Sequence, residues 1–293
     1  MQYTGRIFRP PSEARSLILQ VTIGCSHNRC TFCDMYKEKR FSLVPMDRVL
    51  ADIEDAKIHY QSYINRVFLA DGDAMIRPTK DLLVILKAIQ ESFPFCQRIT
   101  AYATPKSLLK KTPQELEALR AAGLTMVYLG LESGNDDVLR HVCKGATAAQ
   151  IIEAAGKAKG ASMMLSVTAI SGLGGRENWE AHALDTARVL STINPEYIGL
   201  LTLRLEGQAP LKNEVAAGEF TLLSPDEILQ ETLVLLHHID SPGSIFRANH
   251  ISNYVNLAGT LNQDRDLLIG RIQAALEGKV QIKSEYLRTL DLS

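Results

Sequence analysis

Three cysteines lie within nine residues, at Cys25, Cys30 and Cys33, directly after an apolar run. Thiolates so close together suit an iron–sulfur cluster or a metal ion better than disulfides, because three thiols cannot pair evenly. A [4Fe–4S] cluster normally takes four ligands, so three cysteines would leave one iron open to chemistry. The alternative is a structural zinc or iron–sulfur site, in which His27, inside the same loop, would supply the fourth ligand.

The bulk composition is that of an ordinary globular chain. Of the 293 residues, 46% are hydrophobic and 22% are charged, and the formal net charge is -1. Since there is no basic surplus, we expect no nucleic-acid partner. No apolar run reaches membrane-spanning length, so we expect no membrane association. Residues 1–11 contain no apolar signal core, so we expect no secretion. The three thiols would stay reduced in the cytoplasm, which is the predicted location.

Apolar runs and helical patterns alternate along much of the chain. The six predicted strands cover residues 16–24, 66–70, 98–104, 124–130, 163–170 and 197–203. Capping-box sequences that mark helix starts begin at Thr112, Thr147 and Ser224. Alternation at roughly 30-residue spacing implies right-handed crossovers and a parallel sheet. The pattern fits an incomplete α/β barrel, with six units instead of eight, or an open doubly wound sheet.

Polar residues and glycines follow several of these strands directly. Asp71-Gly72-Asp73 comes after the second strand and Glu132-Ser133 after the fourth, while Gly172 and Arg204 follow the fifth and sixth. In a parallel α/β barrel the active site lies at the carboxyl ends of the strands. We therefore expect these residues to share one site with the cysteines.

The pattern changes after Leu205. Helices are predicted from Ser224 to about His238 and over residues 263–277, with a polar, aperiodic stretch at 247–254 between them. We therefore divide the chain into a barrel domain at 1–205 and a mainly helical C-terminal extension at 206–293. Because no Pro/Gly/Ser-rich linker separates the two, we expect the extension to pack on the barrel.

Together these features resemble the radical SAM superfamily, especially the branch of oxygen-independent coproporphyrinogen oxidases, methylthiotransferases and Elongator-type enzymes. The resemblance covers roughly residues 16–205 and rests on four stretches in the family's order. They are the cysteine loop with Phe32 before its third cysteine, Asp71–Asp73, Gly130–Gly134 and Ser171–Glu177. The family implies an α/β fold, a partial (β/α)6 TIM-like barrel. One departure is the C-x4-C-x2-C spacing, which has one residue more than the family's C-x3-C-x2-C.

The resemblance also implies cofactors and a reaction. Cys25, Cys30 and Cys33 would bind a [4Fe–4S] cluster, which reductively cleaves S-adenosylmethionine (SAM) to a 5′-deoxyadenosyl radical. That radical would take a hydrogen from a small substrate, and a flavodoxin- or ferredoxin-type protein would supply the electron. The implied SAM contacts are Phe32, Asp71, Gly72, Asp73, Glu132, Ser133, Ile170, Gly172 and Arg204.

Each of these SAM contacts has an implied role. Asp71–Asp73 would meet the methionine ammonium, and Arg204 the methionine carboxylate. Glu132 and Ser133 would hold the ribose hydroxyls or the methionine end. Gly172 would let the backbone approach the adenine, with Ile170 and Phe32 as apolar walls.

Two other functions remain open from the sequence. One is a non-enzymatic iron–sulfur carrier or redox sensor, against which the motifs after the fourth and fifth strands count, since a carrier needs no nucleotide pocket. The other is RNA modification, although the family's RNA-modifying members carry an added RNA-binding domain and a second cluster that this sequence does not display. Porphyrinogen oxidation and cobalamin-dependent methyl transfer fit less well, because neither long accessory regions nor a cobalamin domain is recognisable.

Overall fold

A mostly parallel sheet of eight strands is the framework of the computed structural model, which describes residues 1–60 and 63–289. The strands are β1 (Leu17–Gln20), β2 (Thr22–Ile23), β3 (Ser42–Leu43), β4 (Arg66–Ala70), β5 (Arg98–Ala103), β6 (Leu124–Glu132), β7 (Met164–Ser171), β8 (Tyr197–Thr202), β9 (Ile245–Ala248) and β10 (Leu257–Thr260). The order in the sheet is β1-β4-β5-β6-β7-β8-β9-β10, and β2 and β3 form a separate antiparallel pair. Strand β10 runs antiparallel to β9, whereas β9 runs parallel to β8.

Helices connect most of the strands. They are α1 (Met46–Tyr60), α2 (Thr79–Ser92), α3 (Pro105–Leu109), α4 (Pro113–Ala121), α5 (Asp136–His141), α6 (Ala148–Gly160), α7 (Gly175–Ile193), α8 (Leu211–Ala217), α9 (Pro225–His238), α10 (Arg265–Leu276) and α11 (Glu285–Thr289). Within the described residues, every helix is too short or too polar to cross a lipid bilayer. The α/β class and the alternating parallel architecture predicted from the sequence are confirmed.

The first predicted strand, at 16–24, is divided in the structure. Leu17–Gln20 pairs with β4, whereas Thr22–Ile23 leaves the sheet and pairs with β3. The break falls at Val21, whose carbonyl accepts a hydrogen bond from the Val44 amide at 3.2 Å. The periodicity of an apolar run does not show where the strand changes its pairing partner, so the sequence did not predict this break.

The extension is mainly helical, as predicted, but it also contributes strands β9 and β10 to the sheet. In β9, Phe246 and Ala248 are buried while Arg247 between them is exposed, which is the two-residue period of a strand with one buried face. The stretch at 247–254 had been predicted to be polar and aperiodic. Four-residue strands such as β9 and β10 are too short for that period to stand out.

Two compact units make up the described chain. The first comprises Met1–Asn28, Met35–Leu129 and Glu153–Leu165. Its core is built on the inner strands, where the Phe68 ring lies edge-on to the rings of Tyr102 and Tyr128, at centroid distances of 4.9 and 5.9 Å. Tyr102, at the end of β5, therefore belongs to an aromatic cluster.

The second unit comprises Arg29–Asp34, Gly130–Ile152 and the described chain from Ser166 onward. It contains most of β7 together with β8, β9 and β10, and the helices α7, α9 and α10. The predicted division at residue 205 stays a prediction.

Each predicted capping box forms its reciprocal hydrogen bonds. The Thr112 side chain accepts from the Glu115 amide, and Glu115 accepts from the Thr112 amide at 2.8 Å. The same exchange joins Thr147 to Gln150. At the start of α9, Ser224 and Glu227 exchange bonds of 2.7 and 3.3 Å. The caps fix where α4, α6 and α9 begin.

Replacement of Ser224 by Ala should lower the free energy of unfolding by about 1 kcal/mol, because the Glu227 amide loses its acceptor. Urea unfolding followed by circular dichroism measures the change. Thr192→Ala, at an exposed position near the end of α7 in the same unit, is the control. It should be neutral or slightly stabilising, since Ala has the higher helix propensity. Equal losses in the two variants would contradict a specific role for the cap.

Candidate functional site

Cys25 lies in a loop that the turn at 71–73 holds from both sides. The amide of Gly24, just before the cysteine, donates to Asp71 Oδ2 at 3.1 Å. The hydroxyl of Ser26, just after it, donates to Asp73 Oδ2. The two carboxylates of the turn therefore fix the backbone on both sides of the first cysteine.

Gly72, between these aspartates, lies where a side chain would meet Cys25 and Tyr36. A Cβ at position 72 would lie 3.0 Å from the Cβ of Cys25 and 2.6 Å from Cε2 of Tyr36. Real side chains do not approach so closely, so the turn accepts only glycine at its centre. The sequence-predicted residues at 71–73 are thus brought together with Cys25 in the first unit.

The Asp71 carboxylate is fully buried beside a lysine. Its Oδ2 lies 2.7 Å from Lys39 Nζ, whose side chain is only 8% exposed, and it also accepts from Gln20 Nε2 at 3.3 Å. Its Oδ1 has no hydrogen-bond partner among the described residues. A buried carboxylate needs such an opposite charge. Lys39 therefore stabilises the buried charge of Asp71. The sequence alone did not identify Lys39 as part of the site.

Asp73 is equally buried and is bonded to the start of α3. Oδ1 accepts from the Thr104 amide at 3.2 Å and Oδ2 from the Thr104 hydroxyl at 2.9 Å. Burial raises the pKa of this carboxyl, and the hydrogen bonds of Ser26, Ser107 and Thr104 act against that rise. Both aspartate side chains are thus engaged inside the first unit, where they order the loop that carries Cys25.

The additional loop residue is accommodated near Asn28. Its φ of 45° lies in the left-handed region, which Asn tolerates better than most residues. Its side-chain amide donates to the carbonyls of Tyr36 at 2.7 Å and Lys39 at 3.4 Å. The longer Cys25–Cys30 spacing therefore ends in an ordered turn.

The second half of the cysteine loop belongs to the second unit. Thr31, between Cys30 and Cys33, donates its amide to the Val142 carbonyl at 3.0 Å. Its own carbonyl accepts from the Leu211 amide at 2.9 Å, at the first residue of α8. Backbone bonds on both sides of Thr31 thus fix this part of the loop.

Phe32 packs in the apolar cluster that contains Ile170. The buried members of this cluster are Val138, Val142, Ile170 and Leu173, and Phe32, Leu201 and Leu203 pack against them. The structure therefore brings together the two residues that were predicted to be apolar walls. The β7 end and the cysteine loop share this one hydrophobic contact region.

The cysteines provide a donor set whose chemistry suits an iron–sulfur cluster. All five cysteines of the chain carry thiols rather than disulfides, and Cys25, Cys30 and Cys33 are partly exposed. Thiolates are the ligands that iron–sulfur clusters take. In the described part of the chain, no group of three or more His, Cys, Asp or Glu side chains is already arranged around a metal position.

The end of β6 docks closely on α7. Gly134 donates its amide to Thr186 Oγ1 at 2.9 Å, and a Cβ there would lie 2.2 Å from the Asp185 carbonyl oxygen. Glu132 has a φ of 65° and pairs with Lys144 Nζ at 2.8 Å, with both side chains largely buried. The motif at 130–134 is thus a tight turn that α7 fixes in place.

A buried histidine connects the ends of β6 and β7. His182 on α7 lies 2.7 Å through Nδ1 from Ser133 Oγ and 3.0 Å through Nε2 from the Ile170 carbonyl. Burial lowers the pKa of His182 to about 4, so the ring is neutral at pH 7. Nε2–H therefore donates to Ile170, and Nδ1 accepts from the Ser133 hydroxyl. Ser133, which is 0% exposed, is engaged in the interior.

A buried glutamate holds the glycine that follows β7. Glu231 on α9 accepts the Gly172 amide at 2.8 Å through Oε1, and the same oxygen lies 3.9 Å from His182 Nε2. Burial raises the pKa of Glu231 to about 7. Gly172 itself has a φ of 84°, which disfavours any other residue there. Glu231 and His182 were both missed by sequence reasoning.

A weak sequence signal existed for these two residues. His182 and Glu231 lie on the apolar faces of α7 and α9, among buried alanines and leucines. A charged or titratable residue on such a face is expected to be paired inside the protein.

Arg204 follows β8 and lines a cavity of about 340 Å³ together with Gly172. Its guanidinium contacts the Glu206 carboxylate through Nη2. Its Nε is buried and has no acceptor among the described residues. The structure thus brings Gly172 and Arg204 together on one cavity of the second unit.

Comparison with known structures shows the same fold in proteins of low sequence identity. One is the radical S-adenosylmethionine methyltransferase TsrM from Kitasatospora setae, solved with cobalamin and a [4Fe–4S] cluster (TM-score 0.54, 17% identity, 69% of this chain and 39% of that chain). A second is coproporphyrinogen III oxidase (HemN) from Escherichia coli (TM-score 0.55, 19% identity, 76% of this chain and 52% of that chain). A third is the archaeal Methanocaldococcus infernus Elp3 (TM-score 0.53, 13% identity, 91% of this chain and 64% of that chain). The chain thus spans less than two thirds of each, and the likeness shows the fold.

The sequence comparison gives the family directly. No curated protein sequence matches the chain. The model of the radical SAM superfamily matches residues 19–187, which include the cysteine loop and the motifs after β4, β6 and β7. That family uses a [4Fe–4S] cluster and S-adenosylmethionine, and the resemblance predicted from the sequence is confirmed. Because the match covers more than half of the 293 residues, the chain belongs to the radical SAM superfamily.

Proposed function

We propose that this chain is a radical SAM enzyme acting on a small molecule, with its cluster bound by Cys25, Cys30 and Cys33. The observation that carries the proposal is that these three thiols stand inside the family match, at 19–187, with the third cysteine's spacing and aromatic neighbour intact. When bound, a reduced [4Fe–4S] cluster supplies the electron that cleaves SAM to a 5′-deoxyadenosyl radical, which abstracts hydrogen from the substrate. A flavodoxin- or ferredoxin-type partner would deliver the electron.

The proposed role of the turn at 71–73 follows from its contacts. The carboxylates of Asp71 and Asp73 fix Gly24 and Ser26, and a side chain at position 72 would press on Cys25. The turn therefore orients the first thiol for its iron. The backbone carbonyls of the same turn are the groups we assign to the methionine ammonium, since the side chains are already bonded within the fold.

In the second unit, His182 and Glu231 act as positioning residues. His182 ties Ser133 to Ile170, and Glu231 holds the Gly172 amide. Glu132 and Gly172 are the proposed SAM contacts on these two strand ends, and the buried Ser133 supports them through its bond to His182. Phe32 and Ile170 would cover the adenine of SAM. Arg204 would bind the carboxylate of its methionine part. Buried hydrogen bonds of this kind keep a binding surface in one conformation before the ligand arrives.

Replacement of Cys25, Cys30 or Cys33 by Ala should abolish 5′-deoxyadenosine formation, because two thiolates are too few to hold a [4Fe–4S] cluster in place. The product is measured after anaerobic reconstitution with iron, sulfide, SAM and a reductant. Iron content and visible absorbance report the cluster separately. Cys96→Ala, at a half-buried thiol that bonds the Arg98 carbonyl, is the matched control and should retain both signals.

The same assay decides between the enzyme and a carrier. A fully reconstituted wild-type cluster that yields no 5′-deoxyadenosine would support a redox carrier and end the proposal. A triple-cysteine variant that still cleaves SAM would also end it, since another group would then bind the iron.

Replacement of Gly72 by Ala should reduce the rate of 5′-deoxyadenosine formation by about tenfold or more. The new Cβ collides with Tyr36 and displaces Cys25 by several tenths of an ångström. Gly156→Ala, in α6 of the same unit, has no atom within 4 Å of the new Cβ and should leave the rate unchanged. A rate for the Gly72 variant equal to that of the Gly156 variant would show that the turn does not orient Cys25.

Replacement of Glu231 by Gln should stabilise the protein at alkaline pH. The folded-state pKa of Glu231, about 7, lies above its unfolded value of 4.5. The contribution of the protonated carboxyl to the free energy of unfolding is therefore fully present below pH 4.5 and is lost as the pH rises through 7. Gln keeps an acceptor for the Gly172 amide without a charge. The variant should therefore exceed the wild type by about 1–3 kcal/mol at pH 8 and not at pH 4.5.

Urea unfolding from pH 4.5 to 8.5 measures this difference. Subtraction of the wild-type curve removes the opposite trend of His182, whose depressed pKa makes the protein less stable as the pH falls below 6.5. Glu219→Gln, at an exposed position of the same unit, is the control and should give no pH-dependent difference. A flat difference for the Glu231 variant would refute a buried, proton-binding carboxyl.

A further inference from the structure

The cavity that Arg204 lines lies between the strand ends of the second unit and the C-terminal extension. Its volume is about 340 Å³. It is lined by Gly172, by the residues after β8, by Tyr254 and by residues of α9 and α11. All of these residues belong to the second unit, so the cavity is a feature of that unit alone.

A second arginine, Arg288 on α11, enters the cavity from the extension. Its side chain is only 4% exposed. Nε donates to the Ser252 carbonyl at 2.6 Å, and the guanidinium lies 3.8 Å from the Tyr254 ring centroid. A guanidinium that is stacked and bonded in this way is fixed in orientation before any ligand binds.

Both guanidinium groups already hold carboxylates of this chain. Arg288 Nη1 lies 2.8 Å from each Glu285 oxygen, and Arg204 contacts Glu206. The glutamates are 66% and 56% exposed, whereas the arginines are largely buried. Glu285 also accepts from the Tyr254 hydroxyl, and a ligand carboxylate that takes its place would accept from the same donors. The buried Arg204 Nε, which has no acceptor within the described residues, adds a further donor.

The surroundings favour an anion with an apolar body. Burial lowers the pKa of His250, Arg204 and Lys283 lower it further, and Glu206 acts against them, so two cations and one carboxylate lie near this ring. Part of the lining is apolar, since Leu223, Ile228 and Tyr254 form one hydrophobic cluster and all three line the cavity.

We propose that this cavity binds the substrate, a small carboxylate with an apolar body, through the guanidinium of Arg288 and the neighbouring edge of Arg204. The carboxylate would pair with the guanidinium groups and the apolar body would lie against Ile228 and Tyr254. The identification of this ligand as the substrate rests on the proposed radical SAM function. The binding of a carboxylate in the cavity is independent of that function.

The test uses 4-phenylbutyrate as the probe and its neutral amide as the uncharged match, with the full chain after cluster reconstitution. Calorimetry gives the affinity, and fluorescence of Trp179, the single tryptophan, gives the location because Trp179 packs against the Leu223–Ile228–Tyr254 cluster. The acid should bind at least tenfold more tightly than the amide and should change the Trp179 emission. Arg288→Gln should remove that preference, and Arg188→Gln, at an exposed ion pair on α7, should keep it.

Other outcomes overturn the inference. They are no binding of the acid to the wild type, equal binding of the acid and the amide, or an unchanged preference in the Arg288 variant. A further arm adds saturating S-adenosylhomocysteine. Competition with the acid would assign the cavity to the SAM site, whereas unchanged binding supports a separate substrate carboxylate. Because none of these measurements requires SAM cleavage, loss of the proposed enzymatic function would show itself separately, as a wild-type protein that binds the acid but forms no 5′-deoxyadenosine.

Discussion

The buried Asp71 carboxylate is the contact on which the placement of Cys25 depends. A carboxylate removed from water is strongly destabilising unless an opposite charge and hydrogen-bond donors compensate it. Lys39 supplies the charge at 2.7 Å, and the Gly24 amide supplies a donor immediately before the cysteine. Neither partner can leave without exposing the other to that cost. The turn and the loop therefore form together, and Gly72 can then approach Cys25 as closely as it does.

The second unit achieves the same result with a buried serine, a neutral histidine and a glutamate whose pKa is raised by burial to about 7. Ser133, His182 and Glu231 have the residue types of a hydrolase triad, but Ser133 is 0% exposed and His182 bonds a backbone carbonyl through Nε2. No substrate can reach that serine, so the arrangement cannot work as a nucleophile. Its effect is to join the ends of β6 and β7 through α7 and α9. Two strand ends that are bonded to the same pair of helices cannot shift independently. A binding surface made of separate loops requires such a fixed arrangement.

The sequence predicts those parts of the fold and site that depend on local signals. The strand at 66–70 and the helix caps at Thr112 and Ser224 appear where apolar runs and capping boxes place them. The strand break at Val21 and the roles of Lys39 and His182 depend on partners many residues away, so no local pattern encodes them. For Ser133 the sequence points to a ligand contact, and its hydroxyl is bonded inside the protein. Residue type alone does not tell a binding group from a positioning group.

Arg204, in the second unit, lines a cavity together with residues of the extension. It follows β8, where the family places SAM contacts, yet its cavity is completed by Tyr254 and Arg288 from the extension. A guanidinium has two edges and five donors, so one arginine can serve two carboxylates at once. Arg288 is stacked on Tyr254 and bonded to the Ser252 carbonyl, which both belong to the extension. At the proposed carboxylate site, changes in the extension would therefore alter which ligand binds while the strand-end motifs stay the same.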